Sequence, residues 1–191
     1  MLVRTRSAQW QGVDGVRIII CGSIAGAGKD TASEYLVQKY GFQSFSFAAP
    51  IYTICREYFN MQRKDRWLLQ QVGEKMREID HEVWINYTFK QANLADRAAI
   101  SDLRRKNEHL AALNHGYFPI RIVAKRDIAI DRILKRDGHC DVSLLDNESE
   151  TGTREIPMYE IINNGTVEEL YQQLDKLVTL LTMMEECKCT I

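Results

Sequence analysis

No stretch of this chain is long and apolar enough to act as a membrane span. The first fifteen residues, MLVRTRSAQWQGVDG, lack the apolar core of roughly 7 to 15 residues that a secretory signal requires, and we predict a flexible lead-in over 1–15. The five cysteines are odd in number and scattered, which argues against a disulfide framework. These absences predict a cytoplasmic protein with reduced thiols and no membrane partner.

A surplus of charge of either sign is also missing, since the formal net charge is -1 over 191 residues. A protein that holds nucleic acid through its overall field is expected to be basic, so we predict no nucleic-acid partner. The four histidines show no metal-ligand spacing, and the chain has no internal repeat. The length suits one domain with a full hydrophobic core, which we place at 16–191.

The most informative stretch is VRIIICGSIAGAGKDT at 16–31. It begins with a short, mostly β-branched apolar run, which favours a buried strand over a helix. Glycines at 22, 26 and 28 let backbone N–H groups converge on an anion, and Lys29 adds a positive charge where β- and γ-phosphates would lie. The helix predicted after Lys29 brings its positive N-terminus to the same place. This arrangement predicts a phosphate-binding loop.

The loop departs from the common GxxxxGK[ST] pattern at two positions. Ser23 stands where the first glycine is expected, so either Ser23 substitutes for it or the loop from Gly22 is one residue longer. Asp30 follows the lysine and Thr31 comes next, so we expect these side chains to hold Mg²⁺, through water if not directly. The predicted nucleotide-binding residues are Ser23, Ile24, Ala25, Gly26, Ala27, Gly28, Lys29, Asp30 and Thr31.

Beyond the loop, strands and helices are predicted to alternate. Further strands are expected at 43–47, 97–101, 118–124 and 159–162. Helices are expected at 28–40, from 48 onward, around 69–79, and at 81–94, 107–115 and 127–137. Thr166 and Glu169 form a capping box for a terminal helix whose core face begins at Val167. Such alternation predicts a parallel sheet covered by helices on both faces, with ligands at the carboxyl ends of its strands.

Six segments resemble, in order and spacing, the P-loop nucleoside monophosphate kinases, most closely the deoxynucleoside monophosphate kinases of bacteriophages and bacteria. They are GKDT at 28–31, SFAAPI at 46–51, LQQVGEKMREIDHEVW at 69–84, ISDLRRKNE at 100–108, SE at 149–150 and INNGTVEEL at 162–170. The resemblance covers about 16–175. It implies a three-layer α/β P-loop nucleotide kinase fold with a five-stranded parallel sheet and a lid. It also implies ATP and Mg²⁺ as the donor system and a small-molecule nucleotide as the acceptor.

The resemblance leaves other acceptors open. Relatives commonly carry a lysine two residues after the proline of the SFAAP segment, where this chain has Tyr52. The same style of motif occurs in P-loop phosphomevalonate kinases. A kinase for another phosphorylated small molecule, such as phosphomevalonate or dephospho-coenzyme A, is therefore one alternative, and an ATP-binding regulatory protein that transfers nothing is another. The sequence also leaves open whether the protein is a monomer or a homodimer.

A polar helix stripe lies within the acceptor-side segment that the resemblance implies at about 50–95. Gln70, Glu74 and Arg77 recur at helical spacing, and we interpret Arg77 as a ligand of the acceptor phosphate. The alternative is a surface ion pair with Glu74 or Asp80. We place Trp84 against a base or sugar, with burial in the core as an equal alternative. The predicted substrate-binding residues are Gln70, Glu74, Arg77, Trp84 and Arg104.

Asp102 is expected at the carboxyl end of a buried strand, two residues before Arg104. Its place in ISDLRRKNE supports a carboxylate near the metal and a guanidinium near the transferring phosphate. The alternative is a turn carboxylate that caps the next helix. Arg105 and Lys106 are expected to form a solvated face.

Arg132 and Arg136 lie four residues apart and therefore on one face of a predicted helix. They precede the polar stretch 138–154, where relatives have a lid, and we place the lid at about 126–155. A phosphate monoester is mostly dianionic at neutral pH, so its phosphorylation needs cationic clamping rather than a general base. We predict catalytic roles for Lys29, Asp30, Asp102, Arg104, Arg132 and Arg136, and metal ligation by Asp30, Thr31 and Asp102.

The sequence thus predicts an ATP-dependent, Mg²⁺-requiring kinase. Its expected reaction converts a (deoxy)nucleoside monophosphate to the diphosphate.

Overall fold

The computed structural model describes residues 15–141 and 153–188 of the chain. Most of the lead-in predicted at 1–15, most of the predicted lid loop and the Ser149–Glu150 pair lie outside these ranges. Within the described ranges, no helix combines the length and apolar character needed to cross a bilayer.

The described residues form five strands and seven helices. The strands are β1 (Arg17–Gly22), β2 (Gln43–Phe45), β3 (Ala98–Ile100), β4 (Phe118–Val123) and β5 (Tyr159–Ile162). The helices are α1 (Lys29–Tyr40), α2 (Ala49–Phe59), α3 (Arg66–Ile79), α4 (Val83–Ala92), α5 (Lys106–Asn114), α6 (Arg126–Asp137) and α7 (Val167–Lys188).

All five strands pair in parallel, in the order β2-β3-β1-β4-β5. The central strand β1 places Ile19 beside Ile100 of β3 and Ile20 beside Ile120 of β4. Every residue of β1 is buried, because helices cover both faces of the sheet. This explains why β1 reads as an almost continuous apolar run instead of an alternating one.

The core has a layer on each side of the sheet. On one face, Ile18 and Ile20 pack with Leu36 of α1 and Leu174 of α7. On the other face, Ile19 packs with side chains of α4 and α5. A third cluster joins α2, α3 and α4 around Ile51, Cys55, Val72 and Trp84. The predicted three-layer α/β fold with a five-stranded parallel sheet is confirmed.

Local signals set the ends of several helices as predicted. Gly41 ends α1 in a left-handed conformation, with φ 70°. The backbone N–H of Thr166 donates to Glu169 Oε2 at 3.1 Å, and the N–H of Glu169 donates to Thr166 Oγ1 at 3.3 Å, so the capping box of α7 is present. Val167 is 45% exposed, and the buried face of α7 begins instead at Leu170.

Candidate active site

The predicted phosphate loop connects β1 to α1 at the centre of the sheet. Gly26 and Gly28 have φ values of 82° and 99°, which L side chains rarely adopt. The N–H of Ala27 donates to the carbonyl of Ile24 at 3.1 Å, so the loop closes as a compact turn. A Cβ atom at Gly26 would lie 2.8 Å from the carbonyl oxygen of Ala129 in α6. The loop therefore requires glycine both for its backbone angles and for close contact with α6.

Ser23 takes the place of the expected first glycine. Gly22 is the last residue of β1 and pairs with Ile122 of β4, so the loop begins after it. The Ser23 N–H donates to the Ile122 carbonyl at 2.9 Å, and Ser23 Oγ accepts from the Ala124 N–H at 3.3 Å. These two bonds attach the start of the loop to the carboxyl end of β4. A glycine could make the first of these bonds but not the second, which uses the serine hydroxyl.

The first turn of α1 carries Lys29, Asp30 and Thr31. The Lys29 ammonium contacts the Asp30 carboxylate, and the two side chains are 26% and 68% exposed. A carboxylate in the first turn interacts favourably with the positive end of the helix dipole. Thr31 is half-buried at the start of the helix. The arrangement places a positive charge and two oxygen-bearing side chains directly after the loop.

Asp102 lies after the carboxyl end of β3, as predicted, and each of its carboxylate oxygens accepts a backbone hydrogen bond. Its Oδ1 accepts from the Phe47 N–H at 2.8 Å and its Oδ2 from the Ala48 N–H at 2.9 Å. Asp102 therefore binds the backbone between β2 and α2, just before α2 begins, and does not cap the helix that follows it in the chain. Burial raises the pKa of its carboxyl, and hydrogen bonds from the Phe47 and Ala48 amides oppose that rise.

Arg77, Glu74 and Arg105 form a cluster that we call the acceptor-side cluster. Arg77 Nη1 donates to Glu74 Oε1 at 2.9 Å, and Arg105 Nη2 donates to the same oxygen at 2.8 Å. Arg77 is 16% exposed, and burial lowers the pKa of its guanidinium, with the charge of Arg105 acting in the same direction. Arg105 is exposed, as expected of a solvated face, and its guanidinium also pairs with Glu74. Gln70 lies exposed nearer the start of α3.

Three backbone hydrogen bonds hold the segment that carries Arg104 and Arg105. Both backbone N–H groups donate to Glu108 Oε2 at 2.9 Å, and the N–H of Leu103 donates to the carbonyl of Ile20 at 3.2 Å. The segment is therefore attached to β1 just before the phosphate loop. Arg104 is exposed, and its charge is close enough to oppose the rise in the pKa of Asp102.

Trp84 does not face a ligand site. It is 4% exposed, packs with Ile51, Cys55 and Val72, and donates its Nε1–H to the carbonyl of Gly73 at 3.1 Å. The apolar surroundings and the satisfied indole N–H make it a core residue that joins α4 to α3. The prediction that Trp84 stacks on the substrate is corrected accordingly.

Arg132 and Arg136 of α6 have different partners. Arg132 Nη1 donates to the Asn163 carbonyl at 3.0 Å, and Nη2 donates to Asn163 Oδ1 at 3.2 Å. The exposed Arg136 forms a forked pair with its neighbour Asp137, with distances of 2.8 and 2.7 Å. Asn163 itself donates from Nδ2 to the carbonyl of Ala27 at 2.8 Å. The structure therefore adds Asn163 to the residues around the phosphate loop, and the quoted segment INNGTVEEL contains it.

A cavity of about 150 Å³ opens beside the start of the phosphate loop. Its lining includes two arginines and a glutamate. The lining residues are Gly22, Ser23, Arg121, Val123, Arg154 and Glu160. Arg121 Nη1 donates to Glu160 Oε1 at 2.9 Å, so part of the charge in the cavity is paired. The cavity therefore offers positively and negatively charged side chains to a small molecule.

Across residues 15–141 and 153–188, no three histidine, cysteine, aspartate or glutamate side chains gather in a way that could hold a metal ion.

The chain is similar in sequence to one kinase-named protein and shares its fold with solved structures that include a kinase. No protein-family model matches the chain. A protein of Acanthamoeba polyphaga mimivirus named "Putative deoxynucleotide monophosphate kinase" is 29% identical over 181 residues, which cover 78% of this chain and 89% of that protein.

Solved structures share the same fold. TT1252 from Thermus thermophilus superposes with a TM-score of 0.59 at 18% identity, covering 89% of this chain and all of the other. A shikimate kinase from Acinetobacter baumannii superposes with a TM-score of 0.56 at 14% identity, covering 88% of this chain and 94% of the other. The resemblance to P-loop kinases predicted from the sequence is confirmed.

Proposed function

We propose that this chain transfers the γ-phosphoryl group of ATP to a nucleoside monophosphate, with Mg²⁺. The observation that carries the proposal is a phosphate loop combined with a separate pair of arginines, Arg77 and Arg105, on one carboxylate oxygen. A donor and an acceptor that are both polyanions need two cationic sites of this kind. The similarity to the mimivirus protein named as a deoxynucleotide monophosphate kinase favours a nucleotide as acceptor.

The donor side is built from backbone and one lysine. Glycines at 26 and 28 adopt the positive φ angles that turn the loop, and a turn of this kind lets backbone N–H groups converge on a triphosphate. Lys29 then adds a positive charge at the start of α1, where the helix dipole also favours anions. These features fit the phosphates of ATP.

The acidic residues fit a magnesium ion held largely by water and phosphate. Mg²⁺ usually keeps several water ligands and takes one or two protein carboxylates together with substrate phosphates. Asp30 is exposed beside the loop, Thr31 follows it, and Asp102 lies at the end of β3. Magnesium, when bound, neutralises negative charge on the phosphate oxygens. The predicted ligands Asp30, Thr31 and Asp102 remain part of this proposal.

The acceptor side needs positive charge and alignment. The acceptor phosphate has a second pKa of about 6 and is mostly dianionic at neutral pH, so it attacks without a general base. Glu74 holds the guanidiniums of Arg77 and Arg105 at one point. Two guanidiniums with one carboxylate leave a surplus positive charge there for the incoming phosphate. Arg104, on the same segment, is proposed to act on the transferring group.

The test is ADP release from the full chain with ATP and Mg²⁺ across a panel of acceptors. The panel contains ribo- and deoxynucleoside monophosphates, phosphomevalonate and dephospho-coenzyme A. We expect strong stimulation by one or more nucleoside monophosphates and at least a hundredfold loss in Lys29→Ala. Stimulation only by another phosphomonoester, or by no acceptor, would contradict the proposal.

A matched pair of variants tests the acceptor-side cluster. Arg77→Ala should raise the KM for the acceptor at least tenfold and leave the affinity for ATP unchanged. Lys75→Ala serves as the control, because it removes an exposed pair with Glu78 at 2.8 Å elsewhere on α3. A loss of ATP affinity in Arg77→Ala would place this arginine on the donor side instead.

A further inference from the structure

We propose that Asn163 is a positioning residue of the phosphate loop, and that Arg132 fixes the orientation of its side-chain amide. The inference rests on the proposed function, because it takes the loop to bind the phosphates of a nucleotide. It assigns to Arg132 an action through Asn163, in place of the direct contact with phosphate expected from the sequence.

Asn163 lies at the junction of three elements. It follows β5, is 5% exposed, and donates its backbone N–H to the carbonyl of Val123 at 2.7 Å. Its side-chain Nδ2 donates to the carbonyl of Ala27 at 2.8 Å in a buried contact. The residue therefore reaches from the carboxyl end of β5 to the middle of the phosphate loop, 136 positions away in the chain.

Arg132 determines which way the Asn163 amide points. Its Nη2 donates to Asn163 Oδ1 at 3.2 Å and to the carbonyl of Gly165 at 3.3 Å, while Nη1 donates to the Asn163 carbonyl at 3.0 Å. A guanidinium has donors only, so the amide oxygen must face it. The amide NH₂ is then directed at the carbonyl of Ala27, which can only accept.

The bond to Ala27 fixes the direction of a loop N–H group. The Ala27 carbonyl and the Gly28 N–H belong to one planar trans peptide unit and point in opposite directions. While Asn163 holds the carbonyl, the Gly28 N–H faces the other side of the loop, away from Asn163. That orientation makes it available to a phosphate oxygen.

Glycine makes this peptide easy to reverse, so an outside contact is needed to select one orientation. Gly28 has a φ of 99°, which glycine reaches without steric cost. A Cβ atom at Gly28 would also collide with Asn163 Nδ2. The same glycine thus makes room for the asparagine and depends on it.

Asn163→Asp tests the proposal with little change of shape. It replaces the NH₂ donor by an oxygen that faces the Ala27 carbonyl, and we expect ADP affinity, measured by calorimetry with Mg²⁺, to fall at least tenfold. Asn164→Asp is the matched control. Asn164 Oδ1 accepts from the Lys125 N–H at 2.8 Å, and a carboxylate keeps that bond while adding the same charge. We expect its ADP affinity to stay within twofold of the parent.

A double-mutant cycle separates the two possible actions of Arg132. If Arg132 acts through Asn163, Arg132→Met should weaken ADP binding in the parent but change it less than twofold in an Asn163→Ser background. A full, additive loss in that background would show direct contact with phosphate and overturn the role given to Arg132. The smaller Asn163→Ser change also serves if Asn163→Asp does not fold. The amide resonance of Gly28 should shift on adding ADP in the parent and not in either Asn163 variant.

The outcomes distinguish this inference from the proposed function. If the parent binds neither ADP nor ATP, the proposed function fails and the positioning role fails with it. If the parent binds ADP and both asparagine-to-aspartate variants bind it equally well, the positioning role is wrong and the proposed function stands.

Discussion

Replacing Asp102 by asparagine separates a structural role from a role at the metal. The carboxylate accepts two backbone N–H groups, one on each oxygen, from Phe47 and Ala48. Asparagine has one acceptor oxygen, so one of the two bonds is lost and the remaining bond no longer has a charged partner. The amide NH₂ would in addition face a backbone donor.

The expected loss of stability follows from these bonds. A hydrogen bond to a charged group contributes about 1.5 to 3 kcal/mol, and a neutral one about 1 kcal/mol. Burial of the charged carboxylate is itself unfavourable, and it raises the pKa of Asp102. The neutral asparagine avoids this cost, which offsets part of the loss. We expect the unfolding free energy to fall by about 1 to 3 kcal/mol, which lowers Tm by roughly 2 to 12 °C for a chain of this size.

Calorimetric unfolding and turnover should be measured on the same preparations. Asp65→Asn is the control, because Asp65 caps α3 through a single oxygen, at 3.0 Å from the Leu68 N–H. Asparagine is an equally good cap, so this variant should melt within about 1 °C of the parent. If Asp102→Asn melts with the parent and only turnover falls, the carboxylate acts at the metal and its part in holding α2 is refuted.

The difference in stability between the parent and Asp102→Asn should depend on pH. The folded pKa of Asp102 lies above its unfolded value, so the stability it contributes is fully present below about pH 4 and is lost as the pH rises through the folded pKa. The asparagine does not titrate. The difference in unfolding free energy between the parent and Asp102→Asn should therefore narrow with rising pH.

Three further changes test other parts of the molecule. Asp175→Ala should lower unfolding free energy by about 1 to 2 kcal/mol in urea titrations, because Tyr35, Tyr40 and Lys39 all donate to this partly exposed carboxylate. Although burial opposes them, the bonds hold the pKa of Asp175 below its usual value, so this stability is present above about pH 4 and disappears on further acidification. Gly26→Ala should abolish measurable ADP binding, whereas Gly41→Ala, which meets no atom within 4 Å, should cost only about 1 kcal/mol of stability. Arg105→Ala should raise the KM for the acceptor at least fivefold in steady-state assays. Lys106→Ala, at the exposed neighbouring position, should leave that KM unchanged.

Local features of the chain were predictable because they depend on neighbouring residues. The strand at 159–162, the end of α1 at Gly41 and the capping box of Thr166 with Glu169 all follow from short-range rules. The strand predicted at 43–47 ends earlier, at Phe45. The amides of residues 47 and 48 donate to Asp102, a contact that no local rule contains.

Contacts between segments that are distant in the chain could not be predicted from the sequence. Arg105 and Glu74 are 31 residues apart, so helical spacing could not pair them, and Arg105 looked like an ordinary surface charge. Trp84 lies on a helix whose spacing fits either a core or an exposed stacking side chain, and only the packing against α2 and α3 decides for the core. The role of Asn163 depends on three elements that meet only in the folded molecule.

Under the proposed function, the acceptor-side cluster makes the binding of the two substrates respond differently to ionic strength. One glutamate faces two guanidiniums, so a surplus positive charge is held on a chain whose total charge is -1. Its attraction for a dianion extends over about 8 Å at physiological salt but only about 3 Å at 1 M. The donor loop depends more on backbone N–H groups at contact distance, which salt screens less. Raising the salt concentration should therefore weaken binding of the acceptor more than binding of the donor. At a suitable salt concentration, the protein would hold the donor nucleotide without the acceptor.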